Sequence, residues 1–443
     1  MPPVIVWVLL GLAGLGWLTR RWWQPRLAAR GLDVRELPVR WWLVGYPQTA
    51  VRIVFSWRRL CQVTSLAVSL RASHQRVIGK GTVVEGRALR PSVPRLSWPL
   101  PTRRGLTVRV VMHPGQTPAP YYAAARAMEH AWRVHHVHVT SPRRGHVLLT
   151  ITAVDPLTGQ LPAAECTGEL LSADVGWCED GVAFVIDFRR TPHWMITGAT
   201  QSGKSTLLAA LVRALTPQPV ALLGLDCKGG MELGPFGRRL TLLATSRREA
   251  VALLERLVRE IKERTRVCRD AGARSIWDLP EKSRPVPLVL LVDEIAELYL
   301  TDGSRSEREA AERCGTLLLR IAQLGAALGV HLVVAGQRVG SDLGTRVTSL
   351  RAQLGGRVAH RAHDEASAEM TLGDINKDAV VVAQSITENE QGVCVVAMQG
   401  RWTRARSHLI SPEERAEIAA TGPPLRVFLS GLYPEPAEGG RTE

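Results

Sequence analysis

Paired cysteines are absent from this 443-residue sequence, because no two of its seven cysteines stand in a Cys-x-x-Cys arrangement. Their odd number and wide spacing exclude a disulfide framework and a cysteine-based zinc site. Aromatic residues make up only 5% of the chain, whereas apolar residues make up 45%. This composition excludes a disordered protein and is typical of an α/β core distributed over two or three domains. The cysteines are Cys61, Cys166, Cys178, Cys227, Cys268, Cys314 and Cys394.

Acidic residues are scarce at the N-terminal end. Residues 1–100 contain 15 basic and 3 acidic residues, a net charge of +12, whereas residues 101–443 contain 41 and 38, a net charge of +3. In the same segment Val4–Leu18 is a run of 15 apolar and glycine residues, and a bilayer span needs about 20. Arginines follow this run instead of preceding it, which argues against a secretory signal and places the rest of the chain in the cytoplasm. We therefore predict a single-pass anchor in the cell membrane with a basic interfacial segment, within residues 1–60.

Tryptophans are concentrated close to this predicted anchor. Tryptophan favours the headgroup level of a bilayer, so an interfacial belt is predicted for Trp22, Trp23, Trp41, Trp42 and Trp57. The alternative is a buried, tryptophan-rich helix of a soluble domain. Residues 61–104 contain many prolines and arginines without periodicity, which predicts a linker.

The periodicity of apolar residues then separates two domains. Residues 105–175 contain alternating stretches and one helical stretch, which predicts a small α+β domain. Residues 176–421 contain continuous apolar runs separated by helical patterns, which is typical of a predominantly parallel sheet buried on both faces in a three-layer α/β domain. The predicted strands are Trp194–Thr197, Val220–Leu225, Leu288–Val292, Val330–Ala335 and Val393–Ala397. Residues 422–443 are predicted to form a flexible tail.

One glycine-rich segment carries the strongest chemical signal. Residues 198–205, GATQSGKS, match the pattern G-x-x-x-x-G-K-[ST], and they lie between a predicted strand and a predicted helix. In this arrangement backbone N–H groups and the positive end of the helix bind phosphates. Lys204 is predicted to reach the β- and γ-phosphates of ATP, and Ser205 to ligate Mg²⁺. The predicted nucleotide-binding residues are Gly198, Ala199, Thr200, Gln201, Ser202, Gly203, Lys204, Ser205 and Thr206.

Two further strands end in polar residues. Leu288–Val292 is followed by Asp293 and Glu294, and Val330–Ala335 is followed after one glycine by Gln337. Ligands of α/β folds bind outside the carboxyl ends of the strands. Asp293 is therefore predicted to hold the Mg²⁺ shell, Glu294 to orient the attacking water, and Gln337 to sense the γ-phosphate, unless Gln337 is merely a solvated strand end.

Several segments resemble the FtsK/SpoIIIE family of DNA translocases in order and spacing: HWMITGATQSGKST, LLGLDCKGGMEL, LVLLVDEIAEL and GVHLVVAGQR. The resemblance covers roughly residues 105–410. The stretch HDEASAEMTLGD at 363–374 is similar to actinobacterial members encoded on conjugative plasmids and integrative elements. The resemblance implies a RecA-like ATPase, a homo-hexameric ring with ATP sites between subunits, and double-stranded DNA in the central pore.

The sequence departs from the family pattern in two places near the expected arginine residues. The strand end that commonly reads ATQRP is AGQRV here, and the preceding helix lacks a basic residue near its end. The resemblance implies an arginine acting on the neighbouring subunit's ATP, and Arg320 is the candidate, with a plain helix-surface charge as the alternative. Salt-sensitive, sequence-tolerant phosphate contacts are predicted for Arg338, Arg346, Arg351 and Arg357.

These features predict an ATP-hydrolysing pump for double-stranded DNA, anchored in the membrane and acting in conjugative transfer. Two alternatives remain within the same superfamily: a chromosome-segregation pump and an ATPase that secretes protein. A third, of a different class, is a membrane-bound adaptor whose nucleotide site regulates assembly. The intact Lys204, Asp293 and Glu294 argue against this adaptor.

Overall fold

The computed structural model describes most of the chain from residue 41 to residue 421. The described residues are 41–68, 91–102, 105–153, 155, 157–158, 168–340, 343–373, 375, 377–398 and 400–421. The chain divides into two compact units, Met1–Pro156 and Leu157–Glu443.

The first unit is an antiparallel sheet with two helices. Its strands are β1 (Arg95–Leu96), β2 (Leu100–Thr102), β3 (Gly105–Val111), β4 (His136–Arg143) and β5 (His146–Thr152). They are arranged in the order β1-β3-β5-β4, with β2 paired to β3. The helices are Tyr46–Val63, preceded by a π-helical turn at Trp41–Gly45, and Ala119–Trp132. The predicted α+β architecture is therefore observed.

The N-terminal boundary predicted for this unit was wrong. Trp57 is 4% exposed and packs in the core of the unit, where its ring centroid lies 6.4 Å from that of Trp132 and its Nε1 donates to the Pro94 carbonyl at 2.8 Å. Trp57 is thus not part of a membrane interface, and the alternative of a buried helix holds for it. Apolar spacing along Tyr46–Val63 buries one face of this helix in the core of the unit.

Part of the predicted linker also belongs to this unit. Leu66 is completely buried in the same core, and Val68 forms an antiparallel bridge with Ser92. Strands β1 and β2 lie within the predicted linker, and both pair with β3. Ladder hydrogen bonds to β3 hold both segments in the sheet, so the prediction of an unstructured linker was wrong for them.

The predicted membrane span Val4–Leu18, Trp22, Trp23 and the predicted tail 422–443 lie outside the described residues. Among the helices that the structure does describe, none has the length and apolar character needed to cross a bilayer.

The second unit contains a ten-stranded sheet in the order β10-β9-β11-β12-β8-β13-β14-β15-β6-β7. Strands β10, β9, β11, β12, β8 and β13 are parallel to one another, and the remaining pairings are antiparallel. The strands are β6 (Ser172–Cys178), β7 (Ala183–Asp187), β8 (His193–Thr197), β9 (Ala221–Leu225), β10 (Leu240–Ala244), β11 (Leu288–Val292), β12 (Val330–Gly336), β13 (Gly356–His360), β14 (Val393–Met398) and β15 (Arg401–Ser407).

Two predictions about this sheet require correction. The run Val393–Ala397 forms β14, which is buried as predicted but pairs antiparallel with both neighbours, since burial alone does not report strand direction. The predicted domain boundary at residues 175 and 176 falls inside β6. Because β6 pairs with β15 and β7, it belongs to the large sheet and not to the small domain.

Helices cover both faces of the parallel half of the sheet. Alternate residues of β11 point into two different cores, Leu288 and Leu290 into one and Val289 and Leu291 into the other. Full burial of each such side chain contributes about 1.5–3 kcal/mol. The helices are Lys204–Leu215, Arg247–Asp270, Ala296–Tyr299, Arg305–Leu324, Thr345–Gln353, Glu365–Leu372, Lys377–Ser385 and Pro412–Ala420. This three-layer packing places the carboxyl ends of β8, β9, β11 and β12 at one edge of the sheet.

Candidate functional site

The glycine-rich loop follows β8 and leads into the helix Lys204–Leu215. Gly203, the residue before this helix, has φ +118°. A Cβ atom on Gly203 would lie only 2.6 Å from the Cα of Gly392 and 3.2 Å from Nδ1 of His360. Glycine is therefore required at this position both by the backbone conformation and by the close approach of the neighbouring chain.

Two backbone hydrogen bonds fix this loop to adjacent parts of the sheet. The Ala199 N–H donates to the Arg361 carbonyl at 2.9 Å, and the Gly392 N–H donates to the Ser202 carbonyl at 3.0 Å. His360 is completely buried beside the loop, and burial lowers the pKa of its imidazole to about 4. A neutral His360 adds no positive charge under the loop, so the loop is held in shape by packing and backbone bonds.

Lys204 is the first residue of the helix, whose preceding residue provides no side-chain cap. Free N–H groups at a helix start attract anions. The Lys204 ammonium donates to the carbonyls of Gly198 at 2.6 Å and Ala199 at 3.0 Å, and burial lowers its pKa. A phosphate group entering the loop would offer this half-buried cation a stronger, charged partner.

A cavity of about 560 Å³ collects most of the predicted site residues. Its size is typical of a small-molecule site. The lining comprises Thr200, Gln201, Gly203, Lys204, Ser205, Thr206, Lys228, Glu232, Asp293, Glu294, Gln337 and Gln391. Of the predicted nucleotide-binding residues, Gly198, Ala199 and Ser202 do not line the cavity, and Ala199 and Ser202 instead anchor the loop beneath it.

Glu294 and Gln337 lie in contact at the carboxyl edge of the parallel strands. Oε1 of Glu294 accepts from the Gln337 backbone N–H at 3.2 Å, and Oε2 lies 3.5 Å from the Lys228 ammonium. The Gln337 side-chain amide donates to Thr200 Oγ1 at 3.3 Å. The sheet thus places a carboxylate, an amide and a hydroxyl within reach of a phosphate bound in the loop.

The acidic residues at this edge fit a magnesium ion. Asp293 and Asp226 follow the adjacent strands β11 and β9, and burial, followed by the charge of Asp226, raises the pKa of Asp293 to about 6. Oδ1 of Asp226 is buried and has no hydrogen-bond partner within the described structure. Mg²⁺ keeps several waters and binds through one or two carboxylates and the phosphates. Asp293 and Ser205 would hold it.

The raised pKa of Asp293 predicts a pH dependence of metal binding. Below about pH 6 this carboxyl is protonated and must lose its proton to bind Mg²⁺. The gain in ATPγS affinity produced by Mg²⁺ is expected to fall as the pH drops through about 6, approaching tenfold per pH unit. Calorimetric titrations of ATPγS with and without Mg²⁺ measure this gain. The metal-free series corrects for the effect of phosphate protonation on nucleotide affinity. A gain that is constant down to about pH 5 contradicts the assignment. The same holds if the gain depends on pH in Asp293→Asn as it does in the wild type.

Sequence reasoning missed four residues of this site. Asp226, Lys228 and Glu232 follow β9, within the segment LDCKGGME. A buried strand that ends in an acidic residue is the same signal that identified Asp293, so Asp226 was accessible to prediction. Gln391 lines the cavity from the turn before β14, and no local pattern distinguishes it.

The five predicted arginines lie outside the described lining of the ATP cavity. Arg320 lies exposed on the helix Arg305–Leu324 and does not line the cavity, so its role in a neighbouring site stays a prediction. Arg338 is half-exposed and pairs with Asp364, and Arg346 is exposed and donates to the Glu312 carbonyl at 3.2 Å.

The prediction that Arg357 contacts DNA was wrong. Arg357 is 7% exposed and donates to three backbone carbonyls, those of Leu354 at 2.8 Å, Thr371 at 3.0 Å and Arg351 at 3.1 Å. These bonds satisfy its guanidinium inside the protein and join β13 to the helix that follows it. Arg351, which supplies one of these carbonyls, is half-buried, and its DNA contact stays a prediction.

A phosphate loop between a strand and a helix, with Asp293 and Glu294 after a parallel strand of the same sheet, defines a P-loop ATPase. Residues 171–341 match the FtsK/SpoIIIE family, and residues 30–153 match the actinomycete conjugal transfer protein N-terminal domain. The chain belongs to the FtsK/SpoIIIE family.

Two relatives and one solved structure illustrate the range of this similarity. Transfer protein TraSA of Streptomyces ambofaciens is 40% identical over 363 residues, which cover 77% of this chain and 87% of that protein. DNA translocase FtsK of Campylobacter jejuni subsp. jejuni is 28% identical over 214 residues, 45% of this chain but only 22% of that protein. The structure of the pCW3 conjugation coupling protein TcpA with ATPγS has a TM-score of 0.55 at 17% identity, covering 84% of this chain and 99% of that one. This last similarity concerns the fold alone.

Proposed function

We propose that this protein is an ATP-driven double-stranded DNA translocase that transfers a plasmid or an integrative element during conjugation. The convergence of Lys204, Asp293 and Glu294 on one cavity carries the proposal, because it supplies the groups that phosphoryl transfer to water requires. Conjugative cargo is favoured over the chromosome because the similarity to a transfer protein extends over both units of the chain.

A second cavity supports a DNA contact coupled to the ATP site. It has a volume of about 410 Å³, and its lining includes Tyr299, Thr301, Arg308, Leu343 and Arg346. Tyr299 lies on the segment that leaves β11 after Glu294, and Leu343 lies on the segment that leaves β12 after Gln337. A phosphodiester bound by the two arginines would therefore touch the continuations of both strands that carry the hydrolytic residues.

DNA stimulation of ATP hydrolysis tests this function. We expect double-stranded DNA to raise turnover, and Arg346→Ala to lower the apparent DNA affinity several-fold and to reduce the salt dependence of binding by about one phosphate contact. Arg266→Ala is the matched control, because Arg266 is 57% exposed and lies on the helix Arg247–Asp270, where it pairs with Glu263. Turnover that ignores DNA but responds to an exported protein would favour the secretion ATPase instead.

We also propose that the active form is a homo-hexameric ring. Within the described lining of the ATP cavity the cations are Lys204 and Lys228, and no arginine is present. An arginine from a neighbouring subunit, with Arg320 as the candidate, would supply the missing transition-state charge. Sedimentation of the protein with ATPγS and DNA measures the stoichiometry, and a monomer under all these conditions contradicts the proposal.

Finally, we propose a cell-membrane location with the motor in the cytoplasm. The apolar run Val4–Leu18 and the +12 charge of residues 1–100 support it. The described helix Tyr46–Val63 adds an exposed Phe55, 81% accessible, and contains no acidic residue. Flotation of the full chain with vesicles that contain anionic lipid measures the association, and protein that stays at the bottom of the gradient argues against it.

A further inference from the structure

The carboxylate of Glu294 is engaged on both of its oxygens. Oε1 accepts from the Gln337 N–H at 3.2 Å, and Oε2 is paired with the Lys228 ammonium at 3.5 Å. Only 6% of the Glu294 side chain is exposed, so little solvent competes with these partners. The Lys228 ammonium therefore competes with an attacking water for Oε2 of Glu294.

The backbone that carries Lys228 is fixed, whereas its side chain is free to move. Gly229 and Gly230 have φ of +79° and +77°, and the Gly230 N–H donates to the Asp226 carbonyl at 3.0 Å. The Asp226 carboxylate in turn accepts from the Glu232 N–H at 2.8 Å. The Lys228 side chain is 42% exposed and has a flexible four-carbon stem. Rotation of this side chain is therefore enough for an exchange of partners.

A bound nucleotide offers Lys228 a second anionic partner. Lys228 lines the same cavity as Lys204 and the phosphate loop. The terminal phosphate of ATP carries more negative charge than a single carboxylate and offers several acceptor oxygens. ADP lacks this phosphate. The competition between Glu294 and the nucleotide for one ammonium group therefore distinguishes ATP from ADP.

We propose that Lys228 is a positioning residue that senses the terminal phosphate of ATP. It pairs with Glu294 while no triphosphate is bound, and it transfers to the terminal phosphate when ATP enters, which leaves Oε2 of Glu294 available to the attacking water. This inference rests on the hydrolytic role proposed for Glu294 and extends it by a control over when that carboxylate becomes available.

Calorimetric binding of ATPγS and ADP to the full chain tests the selectivity. Lys228→Met is expected to weaken ATPγS binding by about 5-fold, as appropriate to a partly exposed ion pair, and to leave ADP binding unchanged. Lys228→Arg should retain the preference for ATPγS because it keeps the charge. Unchanged ATPγS binding in Lys228→Met, or an equal loss for ADP, would overturn the inference.

A second variant tests the competition itself. Glu294→Gln removes the charge that holds Lys228, so ATPγS should bind about 5-fold more tightly than to the wild type. The same change made in Lys228→Met should have no effect, since the competing cation is gone. Tightening of equal size in both backgrounds overturns the exchange of partners while leaving the ATPase function standing. A wild-type protein that binds neither nucleotide overturns both.

Discussion

Lys204→Ala should reduce DNA-stimulated ATP hydrolysis by about 100-fold or more, because a preorganised charge is removed from the position where the phosphates bind. The Lys204 ammonium is held above the loop by the Gly198 and Ala199 carbonyls and faces Glu294 and Asp293 across the cavity. Release of phosphate at saturating ATP and DNA measures the loss. Binding of ATPγS should weaken as well, since the lysine also contacts the phosphates of the bound nucleotide, although it stabilises the transition state more strongly.

The matched control is Lys262→Ala, which removes an exposed lysine from the helix Arg247–Asp270. It should hydrolyse ATP like the wild type, and both variants should unfold at similar temperatures. Lys204→Ala protein that still hydrolyses ATP in response to DNA would refute the mechanism proposed for this site.

The parts of the site that were predictable from sequence depend on local order along the chain. A loop that must follow a strand and start a helix leaves its pattern in consecutive residues, as at Gly198–Ser205, and the same holds for Asp293 and Glu294 after β11. Of the parallel strands, β8, β9, β11 and β12 were predicted because full burial on both faces leaves continuous apolar runs, whereas β10 and β13 were not predicted. Each of these features is determined by neighbours in sequence.

The parts that were missed or wrongly predicted depend on tertiary contacts that the local sequence pattern does not report. Arg357 is an arginine in a predicted pore-facing region, but it is buried and donates to carbonyls of the segments before and after its strand. Trp57 has the sequence context of a membrane interface, yet Trp132, 75 positions further on, provides its packing partner. The pairing of Lys228 with Glu294 joins the ends of two adjacent strands. Sequence periodicity cannot report which of several surfaces a side chain meets.

Glu294→Gln is expected to separate ATP binding from ATP cleavage. The amide keeps the size of the side chain and retains an acceptor for the Gln337 N–H, but it cannot accept a proton from the attacking water. Turnover should therefore fall by about 10²–10⁴-fold, while ATPγS binding persists and bound ATP accumulates without ADP in a single-turnover experiment. Glu281→Gln, which changes an exposed glutamate outside the described lining of the ATP cavity, should leave turnover at the wild-type level. If Glu294→Gln instead cleaves ATP at a normal rate, another group activates the water, and the end of β11 only positions the metal.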